Sequence, residues 1–174
     1  MIPTNVAALE IIKYPDPRLH RPCAPIEVFD DTLVALSGRM LELMHAAQGV
    51  GLAAPQVGVL IRLFVCNVTG ESEDDLIIVN PGLEDLVGSI EGEEGCLSIP
   101  EVTVNIRRAL SCSLKGYDLK GHAIELAGAE LLARCWQHEC DHLDGRLITD
   151  QMSEADTIAN RRVLKSLEAL YKQR

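Results

Sequence analysis

The chain has no long hydrophobic run. A spanning helix needs about 20 consecutive apolar residues, and runs here such as Leu76-Ile77-Ile78-Val79 are of strand length. The N-terminal stretch Met1-Ile2-Pro3-Thr4-Asn5 has no basic segment leading into an apolar one. No signal peptide is therefore read, and a cytoplasmic protein without a membrane partner is expected. Repeats and low-complexity tracts are missing too. Six cysteines are present, but with no Cys-x-x-Cys pair and no regular spacing, which argues against the disulfide framework of a small secreted domain. Positive charge is in deficit: a formal net charge of −10 excludes a surface adapted as a whole to nucleic acid.

What is present is enough to build a core. The 174 residues are 47% apolar, which predicts one globular domain. Charge is unevenly spread. Glu71, Glu73, Asp74 and Asp75 cluster in one expected loop and Glu91, Glu93 and Glu94 in another. From Ile158 onward the sign reverses, with Arg161, Arg162, Lys165, Lys172 and Arg174 facing only Glu168, so this tail can meet a polyanion.

Asp30 or Asp31 caps a first predicted helix with apolar positions Val34, Met40, Leu41 and Met44, ended by Gln48-Gly49. Strand-like runs follow over residues 62–68, 75–79, 109–116 and 123–126, with turns at Asn80-Pro81-Gly82 and Leu119-Lys120-Gly121. A second helix is expected from Gly128 to Leu143, with Leu131, Cys135, His138 and His142 on one stripe. A last helix is expected from a Ser153 cap to the C-terminus. The order read is helix, strands, helix, strand, helix. It predicts an α+β fold, with antiparallel or mixed sheet packed around a central helix, because turns rather than helices join the strands.

His138-Glu139-Cys140-Asp141-His142 carries the chemistry. Two imidazoles four residues apart on a helix lie about 40° apart around its axis, so both reach one ion. Glu139 stands beside that ion, placed to handle a proton. Of the third ligand the helix says nothing. A metzincin needs a histidine where this chain has Ile148, and Glu154 and Glu168 lack a metal-site context. Upstream stands Glu93-Glu94-Gly95-Cys96-Leu97-Ser98. Its thiol is open to two readings, third ligand or inert buried cysteine. Gly49-Val50-Gly51-Leu52-Ala53-Ala54-Pro55-Gln56 fails as a dinucleotide loop, since Pro55-Gln56 stands where that pattern wants a small residue. Its small residues let a ligand or backbone approach, and Gln56 offers an amide donor.

Gly49 to Gln56, Glu94 to Ser98 and Gln137 to His142 together resemble the three signature motifs of the peptide deformylase family, complete and in order. Asp16-Pro17-Arg18-Leu19 and Ile78-Val79-Asn80-Pro81 extend the likeness to nearly the whole chain. The resemblance implies a metal-dependent hydrolase that removes formyl from the N-formylmethionine of nascent polypeptides. It implies that Cys96, His138 and His142 bind Fe²⁺, with Zn²⁺, Ni²⁺ or Co²⁺ able to substitute. Glu139 would shuttle the proton, while the Gln56 amide and Leu97 N–H would stabilise the oxyanion. Gly51 would hold the substrate extended, and the methionine pocket would form near Val50, Leu131 and Cys135. The basic C-terminal helix resembles one that contacts the ribosome in some members; a solvated amphipathic helix is the other reading. Residues 1–152 are expected as one catalytic domain and 153–174 as a helix on or extending from it, in a monomer.

Two departures bear on substrate affinity. Gly92 stands where many relatives carry a bulkier residue, and Val102-Thr103-Val104-Asn105-Ile106 lacks a basic residue found in some. Cys66, Cys112, Cys140 and Trp136 are read as packing, and His20, His45 and His122 as surface or loop residues. A zinc peptidase would release methionine rather than formate from formyl-Met-Ala; a ribosome-tail binding module with a degenerate site would show no loss of formate release on Glu139→Ala, where the enzyme reading expects near-abolition.

Overall fold

The protein is described by a computed structural model covering residues 2–173. Asp30 caps the first long helix, α1 (Asp31–Ala46), through its carboxylate, which accepts the Thr32 and Leu33 amides. Its buried stripe is Leu33, Leu36, Met40 and Met44, whereas Val34 is 48% exposed and leaves the expected stripe. The spacing 33, 36, 40, 44 is the helical repeat, with Met40 and Met44 as expected and Leu33 in place of Val34. After α1 the chain runs through β1 (Gly51–Ala53), β2 (Leu63–Cys66), β3 (Leu76–Val87), β4 (Ile90–Cys96), β5 (Ile99–Arg108), β6 (Ser111–Tyr117) and β7 (Ala123–Ala129). α2 (Glu130–Leu143) and α3 (Glu154–Tyr171) complete it.

β1-β2-β3-β6-β7 form one five-stranded sheet with antiparallel neighbours, and β4 and β5 pair as a separate hairpin. The architecture is α+β. Trp136, Cys135 and Leu143 of α2 pack on Phe64, Ile78 and Leu114 of the sheet. α1 covers Leu52, Leu63 and Val65 on the other side. β5 turns Ile99, Val102, Val104 and Ile106 toward Leu147 and Ile148, with Val163, Leu164 and Leu167 of α3 packed against them. Burying one such side chain contributes about 1.5–3 kcal/mol, which holds helices that are marginal alone.

Three expectations change. Asn80-Pro81-Gly82 is not a turn: β3 continues through it with a register shift between Val79 and Gly82. Asn80 has φ 50°, and its side chain replaces the lost ladder by bonding the Ile26 N–H and C=O, each at 2.8 Å. Gly128 belongs to β7 rather than α2, paired with Cys112 of β6, and the Trp136 ring occupies the space where its Cβ would stand. Among the described residues no strand separates α2 from α3; a 3₁₀ turn over Ile148–Gln151 does. β1, β4 and β5 were unread as strands, the first two being rich in glycine or glutamate. Among the described residues no helix is long and apolar enough to cross a membrane.

Candidate metal centre

α2 is fixed against the end of β5 before it presents any reactive group. Gln137 accepts from the Ala109 N–H at 2.9 Å and donates to the Ala109 and Ala133 carbonyls at 3.1 and 2.9 Å. One face then carries His138 and His142 with ring centroids 4.9 Å apart and planes at 77°. Cys96 ends β4, where the ladder shifts between Gly95 and Cys96, and its Sγ lies 3.2 Å from His142 Nε2. One donor atom from each of Cys96, His138 and His142 lies within 4.8 Å of the others.

Hydrogen bonds orient these donors. His138 Nδ1 lies 3.0 Å from Glu94 Oε2, so Nδ1–H faces the carboxylate and Nε2 is left for an ion. Glu94 also accepts from Arg108 Nε and Nη2 at 2.8 and 2.9 Å and from Arg134 Nη1 at 2.7 Å. Burial would raise the Glu94 carboxyl, but its bonds to Arg108 and His138 outweigh this and hold it at about 2. Arg108 also donates to Asp141 at 2.6 Å, tying β5 to α2 a second time.

Burial disfavours charge on His138, yet Cys96 and Glu94 overcome it and push its pKa up. His142 is pushed down by burial and by the charge of His138. Glu139 is 3% exposed. Burial pushes its carboxyl up, His138 and Arg108 pull it back, Glu94 and Asp141 repel it, and the balance is about 7. Such a value suits a group that takes and returns a proton near neutral pH.

Gln56 is held at both ends of its amide. Oε1 accepts from the Ala53 N–H at 2.8 Å, while Nε2 reaches Ser98 Oγ at 3.2 Å and Cys96 Sγ at 3.5 Å. A cavity of about 510 Å³ opens above this group, lined by Gln56, Cys96, Leu97, His138 and Glu139. Val50, Gly51, Leu131 and Cys135 form its apolar side. Val50 and Leu131 are 42% and 50% exposed, placing them at its mouth, while Cys135 is buried and donates to the Val50 carbonyl at 3.3 Å. His142 lies behind the cavity wall, buried against Cys96.

The donor set fits a transition-metal ion. One thiol and two imidazoles suit a borderline or soft divalent cation, and three protein ligands leave a position for water or substrate. Glu139 Oε2 is buried and has no hydrogen-bond partner among the described residues, an acceptor that a water at such an ion would meet. A family model described as polypeptide deformylase matches residues 8–157.

The chain belongs to the peptide deformylase family. A peptide deformylase of Alkalilimnicola ehrlichii is 41% identical over 169 residues, 97% of this chain and 93% of the relative. Another, of Pseudomonas aeruginosa, is 38% identical, covering 97% of this chain and 99% of its own. The solved peptide deformylase of Legionella pneumophila aligns with a TM-score of 0.88 at 39% identity, over 96% of this chain and 99% of that one. A Plasmodium falciparum peptide deformylase gives 0.89 at 34% identity, over 94% and 98%. The activity is therefore metal-dependent hydrolysis of the formyl group from N-formylmethionine, with release of formate.

The deformylase motifs concealed the supports of the site. Glu94 stood inside a motif without a role, and Arg108 and Arg134 went unread. Arg108 did leave a signal: the alternation Val102, Val104, Ile106, Arg108 puts a charge on a buried face, which demands partners. Gly92 has a local reason as well. A Cβ there would stand 3.2 Å from Arg134 Nη2, so the guanidinium uses the space a larger residue would need.

Proposed function

We propose that Cys96, His138 and His142 hold one divalent ion, Fe²⁺ in the cell, and that Glu139 is the proton shuttle of deformylation. The observation carrying this is the convergence of three donors within 4.8 Å beside a carboxyl poised at about 7. Bound there, the ion supplies Lewis acidity and an activated water. Zn²⁺, Ni²⁺ and Co²⁺ meet the same donor preferences.

The formylated N-terminus lies extended along Gly51, its methionine side chain against Val50, Leu131 and Cys135. Glu139 takes the proton of the attacking water and returns it to the departing amine nitrogen as the C–N bond breaks, leaving formate. Gln56 Nε2 and the Leu97 N–H donate to the carbonyl oxygen as it gains charge; one such donor is worth about 10²–10³ in kcat. Residues 1–152 act as the catalytic domain of a cytoplasmic monomer. α3 and the Lys172 that caps it offer exposed Arg161, Arg162, Lys165 and Lys172 to the polyanionic ribosome surface.

The test is anaerobic purification, metal analysis and formate release from formyl-Met-Ala. Activity lost in air and restored by Fe²⁺ is expected. Glu139→Ala abolishes release with metal retained, whereas Cys96→Ser sharply lowers metal content. Formate release by Glu139→Ala at the unsubstituted rate would sink the shuttle assignment.

A further inference from the structure

Three consecutive residues near the N-terminus tie the two proposed oxyanion donors together. The Ile12 N–H donates to the Gln56 main-chain carbonyl at 2.8 Å. The Tyr14 N–H donates to the Ser98 carbonyl at 2.9 Å. Between them, Lys13 Nζ donates to the Leu97 carbonyl at 2.6 Å, across 84 residues of sequence. One extended segment thus grips the short 3₁₀ turn that carries Gln56 and the loop that carries Leu97 and Ser98. Two of these grips are backbone bonds. The third is a charge-assisted bond from a side chain, the stronger kind, and it falls on the residue whose N–H is proposed above as an oxyanion donor.

We propose that Lys13 is a positioning residue for deformylation, fixing the Leu97 peptide at the correct spacing from the Gln56 amide. The inference rests on the reading of Gln56 and Leu97 as oxyanion donors. Lys13 touches the carbonyl on one side of Leu97 and the oxyanion meets the N–H on the other. Pinning the carbonyl restrains rotation of the residue between them. The free energy of such a donor depends on geometry: a displacement of about 1 Å costs on the order of 10²-fold in rate. Since the carbonyl oxygen carries more charge in the transition state than in the bound substrate, the loss belongs in kcat.

The metal-loaded protein is compared with Lys13→Met, which keeps length and removes the donors, and Lys13→Arg, which restores them. Lys13→Met is expected to lower kcat by about 10- to 100-fold with KM changed by less than about twofold. Metal content should be retained, and Lys13→Arg should recover most of the rate. In a Gln56→Ala background the same Lys13→Met change should cost less than about threefold, because a spacing between two donors has no value once one is gone. Lys13→Leu, which likewise has no donor, is expected to behave as Lys13→Met and serves if the latter does not fold. A normal kcat in Lys13→Met, a loss confined to KM, or an undiminished loss in the Gln56→Ala background overturns the inference. Gln56→Ala with unimpaired kcat overturns instead the oxyanion assignment, and the inference falls with it.

Discussion

The two oxygens of Glu139 sit in different surroundings, and Gly51 explains one of them. A Cβ built on Gly51 would overlap Glu139 Oε1 and stand 2.9 Å from Cys135 Sγ, so only hydrogen at position 51 lets the carboxylate keep its place. Gly51 has ordinary strand geometry, and its role is therefore close approach rather than backbone freedom. Gly51→Ala is expected to fold and to bind metal but to lose on the order of 10²-fold in kcat, the scale of a reacting group displaced by about 1 Å. Formate release together with metal content checks this; full activity would show that Glu139 yields without consequence. At this scale the sequence was readable for the reactive groups, since His138, Glu139 and His142 announce themselves by helical spacing. It was unreadable for their supports. Nothing near Glu94 in sequence says that Arg108 and Arg134 will bracket it, because those partners arrive from other elements.

Elements differ in how far their boundaries follow from local rules. α3 begins where its cap says it should. Ser153 Oγ accepts the Asp156 N–H at 3.1 Å, and Asp156 Oδ2 accepts the Ser153 N–H at 3.0 Å, a reciprocal box written in four consecutive residues. Ser153→Ala is expected to lower unfolding free energy by about 1 kcal/mol while leaving deformylation unchanged, as read by chemical denaturation and formate release. A parallel fall in kcat would mean that α3 shapes the site through β5, where Asn160 Nδ2 meets the Thr103 carbonyl at 2.9 Å. β4 and β5 follow no comparable local code. β4 is Ile-Glu-Gly-Glu-Glu-Gly-Cys, a sequence poor in strand formers, and it extends because β5 pairs with it from Ile90↔Arg108 to Cys96↔Ile99. Asn80-Pro81-Gly82 errs the other way: its turn residues make a bulge because the strand can continue to β6 beyond it.

For the molecule as a whole, the burial of thiols has a consequence at Cys23, Cys112 and Cys140. Cys23, Cys66, Cys112, Cys135 and Cys140 are buried free thiols. Burial pushes the Cys23 thiol up to about 11 and Cys140 to about 12, and raises Cys112 as well. A thiol whose pKa is higher folded than unfolded contributes nothing adverse below its ordinary value near 9.0. Above that the unfolded chain ionises first, so stability falls as pH rises from about 9 toward about 11. Guanidinium denaturation under reductant at pH 8 and pH 10.5 should show this fall, and Cys23→Ala should lessen it. An equal fall in that variant would assign it to other groups. The sequence by itself determined the family, the candidate centre of the reaction and the class of fold. Helical spacing set two candidate ligands, three ordered motifs set the family resemblance, and turn-linked strands set an α+β architecture. Only the tertiary structure decided how the site is held, because most of the supporting contacts join residues distant in the chain. Lys13 meets Leu97, Glu94 meets His138, and Gly51 makes room for Glu139 across such separations. Local propensity and periodicity carry no information about them.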